Sequence, residues 1–210
     1  MCFDVTFHPI SPEDITFFVE DVVLDPTFAP SRIERLDLEP AFKDAIRNAY
    51  GFIADFRKSV ESGESDFAHT FSFMTAIVAG FLHPYWYSRG CAVSFLPDVD
   101  PTIGPILESP LVVMPRLARQ MSDPSNGRIT TNFISGAYVS QSNVVALKSY
   151  FADPKNGDHI ARIFSDNGRD SLLEAIEYAT EHRLGLLEAS DVIVPLFGEC
   201  VTNPNNARRT

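Results

Sequence analysis

The sequence predicts an α+β fold, a helix-dominated single domain with a small sheet. Three observations lead there. Apolar residues recur at helical spacing through several long segments. Short alternating or β-rich runs stand near the start, in the middle and near the end. Strands and helices do not alternate regularly, and no repeat or low-complexity linker divides the chain. One domain over residues 1–202 with a flexible tail over 203–210 is therefore expected. The 210 residues are 45% hydrophobic and 21% charged. Those values exclude a disordered or fibrous chain. A chain of this size buries roughly 70% of its unfolded surface and supports a core without staples.

The opening Phe3–His8 alternates apolar and polar residues, the mark of a half-buried strand. Ser11-Pro12-Glu13-Asp14 combines a cap, a proline suited to the first helical position and two acids at the positive end of the dipole. The helix it starts runs to about Val23 with Ile15, Phe18, Val19 and Val22 as its core stripe. A long helix follows over about 39–59, and a nearly all-apolar one over about 66–82. His69, Thr70, Ser72 and Thr75 interrupt the latter and Pro84 ends it, so a core helix is expected rather than a membrane span.

Ala92–Leu96 is predicted as a strand, and five prolines between 97 and 121 make an irregular stretch with one short helix after Pro115. Arg128–Val139 is strand-like with a break at Ser135-Gly136. Ser140 can cap a helix that Asp153-Pro154 stops. A short helix covers 158–164 and a longer one about 169–183, with Gly185 as its left-handed C-terminal residue. Asp191–Pro195 is predicted as the final strand.

The sequence carries no G-x-S-x-G, P-loop, G-x-G-x-x-G or H-E-x-x-H motif. Cys2, Cys91 and Cys200 lack metal or redox spacing and are odd in number. Three free thiols in a reducing, cytoplasmic compartment are expected. Asp4 and His8 interrupt the first apolar residues, so no signal peptide is expected. His8, His69, His83, His159 and His182 form no close pair, and neither a metal nor a cofactor is expected. With 28 acids against 17 bases the net charge is −11, which disfavours nucleic acid as a partner.

The charge is unevenly placed. Residues 1–31 hold six acids and no Lys or Arg. On a wheel of about 100° per residue, Glu13, Asp14, Glu20 and Asp21 share a face with Phe17 and Leu24, opposite the apolar stripe. An apolar pair inside an acidic ring matches an interface with anchors and a charged rim. The competing reading packs Phe17 and Leu24 under the loop at 26–30.

Two other groups are candidates for ligand contact. His83-Pro84-Tyr85-Trp86-Tyr87-Ser88-Arg89 could line a pocket with His83, Trp86, Tyr87 and Arg89, or could be packing where a helix ends. Asp98 and Asp100 could add carboxylates to it, or form a solvated turn between Pro97 and Pro101. Glu188, with Asp191 and a neighbour such as His182, could form an acid–base group, or Glu188 could cap a backbone turn.

The opening strand with Ser11-Pro12-Glu13-Asp14, then Leu36-Asp37-Leu38-Glu39-Pro40 and Ile134-Ser135-Gly136-Ala137-Tyr138-Val139, resembles a pattern in small bacterial proteins of unknown function. Some members of such sets look like immunity partners of polymorphic toxins. The resemblance implies a stand-alone cytoplasmic α+β protein and gives no residue a role. The expected function is thus an acidic protein-binding protein, an immunity protein or antitoxin that neutralises a basic toxin domain. The alternative is a small-molecule-binding protein or enzyme that uses the His83–Arg89 patch.

Overall fold

The computed structural model describes residues 4–15, 84–89, 92–108, 129–131 and 134–190, with four further helical positions at 34, 40, 44 and 47. The alternating start of the chain forms β1 (Asp4–Ile10), which pairs with β2 (Trp86–Arg89) on one side and β5 (Gly185–Ser190) on the other. β3 (Ile129–Thr131) and β4 (Ile134–Val139) complete an antiparallel sheet of order β2-β1-β5-β4-β3. The helices that the described residues show as continuous runs are the short α1 (Pro12–Ile15), α2 (Gln141–Ala152), α3 (Gly157–Ile163) and α4 (Asp166–His182). Among the described residues, three 3₁₀ helices cover Val93–Asp98, Pro101–Ile106 and Pro154–Asn156. The architecture is α+β.

Strand register decides which side chains meet. Phe7, Trp86, Glu188 and Ala137 form one row across the sheet, and Val139 lies beside Leu186 in the next. This face packs against α2, α4 and the first two 3₁₀ helices through Leu147, Phe151, Leu172, Ile176, Leu96 and Ile103. The opposite face carries Thr6, His8, Ile10, Tyr138 and Leu187, and these are buried too. A sheet buried on both faces explains why β5, Gly-Leu-Leu-Glu-Ala-Ser, shows no alternation.

Several boundaries differ from the sequence expectation. A strand not foreseen from the sequence covers 185–190, and the predicted Asp191–Pro195 lies outside the described residues. β4 runs through Ser135-Gly136 without the expected break. Gly185 opens β5, and the left-handed residue after α4 is Arg183 at φ 57°. There the N–H groups of Arg183 and Leu184 return to the carbonyls of Thr180 and Ala179, a Schellman end. Ala92–Leu96 is not a strand. The Glu188 side chain takes the N–H groups of Val93 and Ser94, the latter at 3.1 Å, which removes them from any ladder. Pro97 then has no N–H to give. The helices predicted over 66–82 and beyond Ile15, the three cysteines and the tail 203–210 lie outside the described residues, as does most of 39–59.

Gly185 is required by close approach. A methyl group on it would lie 2.2 Å from the Tyr138 hydroxyl oxygen, and that ring is only 1% exposed. Gly185→Ala is expected to cost roughly 1–3 kcal/mol in urea unfolding. The cost should shrink when Tyr138→Leu is present. Equal costs in both backgrounds would show that the ring is not the obstacle.

Two buried groups set an opposing pH dependence. Burial pushes the Glu188 carboxyl up to about 7 against the pull of its Ser94 and Val93 hydrogen bonds. Burial pushes the His8 imidazole down to about 3. Between about 4.5 and 7 native Glu188 holds a proton that the unfolded chain has lost, so its contribution is lost as pH rises through that window. Between about 3 and 6.5 native His8 lacks a proton that the unfolded chain binds, so its contribution is lost as pH falls. The two slopes cancel where the windows overlap. In Glu188→Gln, stability should instead rise by about 1.4 kcal/mol per pH unit from 4.5 to 6.5. A profile as flat as that of the wild type would contradict this.

Candidate functional site

The aromatic patch is divided by the strand that carries it. β2 begins at Trp86, so Trp86 and Tyr87 point to opposite sheet faces and cannot wall one pocket. Trp86 is 5% exposed, packs on Tyr178 at 5.4 Å and donates its indole N–H to Glu174 at 3.0 Å. Trp86 thus lies in the core, as the packing alternative has it. Tyr87 is half-buried, Arg89 ends β2, and His83 lies outside the described residues.

Asp98 and Asp100 also part company. Asp98 is exposed, whereas Asp100 is 7% exposed and starts the 3₁₀ helix Pro101–Ile106. Its carboxylate accepts from Thr102 N–H at 3.0 Å, Thr102 Oγ1 at 2.6 Å, Tyr150 Oη at 2.9 Å and His159 Nδ1 at 3.3 Å. Led by the Thr102 hydroxyl, these donors hold it down to about 2. The solvated-turn reading of Asp100 is corrected: it is a clasp that ties α2 and α3 to the 3₁₀ segment. The spacing rules could not find Tyr150 and His159, which lie 50 and 59 positions away.

Glu188 follows the capping alternative. It caps the 3₁₀ helix at Val93 from inside the sheet, while His182 bonds the Tyr178 carbonyl at 2.9 Å and stacks on that ring. His8 contacts Thr6 Oγ1 at 2.8 Å and stacks on Tyr85 at 5.4 Å. No group of three or more metal-ligating side chains occurs among the described residues, and no described helix is long and apolar enough to cross a membrane.

Of the acidic first-helix face, Glu13 is exposed in α1 and Asp14 lies in the same turn. Phe17, Glu20, Asp21 and Leu24 lie outside the described residues. A second acidic face, absent from the sequence reading, runs along α4. Asp166, Asp170, Glu174, Glu177 and Glu181 are all exposed. At 100° per residue they fall within about 80° of arc, opposite the buried Leu172, Ala175, Ile176 and Ala179. Glu177 pairs with Lys148 and Glu174 receives the Trp86 N–H. The signal for this stripe was present as acids at i, i+4, i+8, i+11 and i+15.

A cleft of about 720 Å³ opens at the end of the sheet. Ser11 and Glu13 after β1, Glu108 and Tyr138 beside β4, the start of α2 and Arg183 after α4 bound it. Its elements come from four separate parts of the chain. No protein-family model, no curated protein and no solved structure matches this chain.

Proposed function

We propose that this chain is an acidic protein-binding protein whose surface engages a basic partner, most concretely an immunity protein or antitoxin that blocks a basic toxin domain. The carboxylate stripe on α4 is the observation that carries the reading. Like charges at i, i+4 cost an isolated helix about 0.2–0.5 kcal/mol per pair. Five acids share one exposed arc, with Lys148 offsetting Glu177 and the Trp86 N–H serving Glu174, and a basic partner answers the charge that remains. The net charge of −11 and the six acids of residues 1–31 support the same reading. The small-molecule alternative built on the aromatic patch loses Trp86 to the core.

A pull-down from the native cell at low and high salt supplies the partner, and stopped-flow mixing then measures association. Asp170→Lys with Glu181→Lys, and separately Glu20→Lys with Asp21→Lys, should slow association and flatten its salt dependence while leaving stability nearly unchanged. Phe17→Ala should act on dissociation and cost about 2 kcal/mol or more. A partner whose association rate ignores both charge reversals contradicts the proposal.

A further inference from the structure

We infer that the cleft at the end of the sheet is a binding site for a small zwitterion of the α-amino-acid type, with its carboxylate at the start of α2 and Arg183 and its ammonium at Glu108 and Glu13.

The anionic end has two sources of positive potential. α2 is 12 residues long and has no acid in its first turn. Its first intrahelical bonds run from Asn143 and Val144 to the Ser140 carbonyl, at 2.8 and 2.9 Å. The N–H groups of Gln141 and Ser142 precede them, at the positive end of the helix dipole. The Ser140 hydroxyl makes no capping bond and meets Ser142 Oγ at 3.1 Å instead. Arg183 adds a guanidinium. It is exposed and forms no ion pair among the described residues.

The cationic end is made by two carboxylates. Glu108 is fixed by paired backbone bonds with Tyr138, both 2.7 Å, and by Asn143 Nδ2 on Oε1 at 3.2 Å. Its second oxygen makes no hydrogen bond among the described residues and can meet a ligand. Glu13 stands on the same rim. Tyr138 also lines the cleft; it is 1% exposed, and its hydroxyl, which lies against Gly185, has no hydrogen-bond partner among the described residues. Burial raises that hydroxyl, and the charges of Glu108 and Glu13 raise it further. A buried hydroxyl without a partner is unfavourable, and a ligand acceptor within reach would recover part of that cost.

Charge balance selects the class. Two carboxylates and one guanidinium give the cleft a charge of −1. A simple anion meets net repulsion, and a simple cation leaves Arg183 unanswered. A zwitterion that is neutral or positive overall answers both, and the volume suits a small molecule. The site does not use the α4 stripe, so it stands or falls apart from the proposed protein partner.

The test is calorimetric titration of the full chain with L-alanine, L-leucine, L-lysine and L-glutamate, with propionate and methylamine as single-charge controls. Alanine, leucine or lysine should bind, and glutamate and both controls should bind at least tenfold more weakly, on the order of one charge-assisted hydrogen bond. Arg183→Gln and Glu108→Gln should each weaken binding about tenfold, with melting temperatures near wild type because the first is exposed and the second keeps its Asn143 bond. The inference is overturned if no amino acid binds below about 10 mM. It is also overturned if propionate binds as well as alanine, or if either variant binds like the wild type.

Discussion

A carboxylate buried in the central strand holds this architecture together. Glu188 sits in the middle of β5, on the face that packs against the helices, in one row with Phe7, Trp86 and Ala137. An unpaired charge in such a place costs several kcal/mol. Here two backbone N–H groups from residues 94 and 95 positions away converge on it. The bond works in both directions. It satisfies the carboxyl inside the core, and it fixes where the chain after β2 turns into a 3₁₀ helix. That helix carries Val93 and Leu96 into the core and leads to Asp100. Asp100 then repeats the device at the next 3₁₀ helix and reaches α2 and α3 through Tyr150 and His159.

What could be read from the sequence follows from the range of the forces involved. β1, α2, α3 and α4 were legible because local signals specify them: the alternation of Val5, Thr6, Phe7 and His8, the stop at Asp153-Pro154, the stripe of Leu172, Ile176 and Ala179. The 3₁₀ segment was not. Val93-Ser94-Phe95-Leu96 has strand propensity, and only a side chain almost a hundred residues away diverts its N–H groups. β5 was missed because a strand buried on both faces does not alternate, while the neighbouring Val-Ile-Val run, outside the described residues, drew the strand expectation. Arg183 took the left-handed position expected of Gly185, and the crowding of Gly185 by Tyr138 shows what that glycine is for.

The candidate sites divide along the same line. The acidic character of the chain is a compositional fact, and its concentration on one side of α4 is a matter of helical period; both are readable. The division of the aromatic patch by β2 needed the strand boundary. The cleft needed the topology, since β1, β4, α2 and the end of α4 meet there only because β5 lies between β1 and β4. The two surfaces then suit different ligands: a long, uniformly acidic helix face for a basic macromolecule, and a small cleft of mixed charge for a small molecule.

The central claim is that Glu188 is a buried carboxyl that holds the 3₁₀ helix at Val93. Carbon-13 NMR of the Glu188 side-chain carboxyl across pH tests it most directly. The account predicts a titration near pH 7, well above the ordinary carboxyl range, with the amide nitrogens of Val93 and Ser94 shifting at the same midpoint. A titration near 4.5 with those amides unmoved would contradict it.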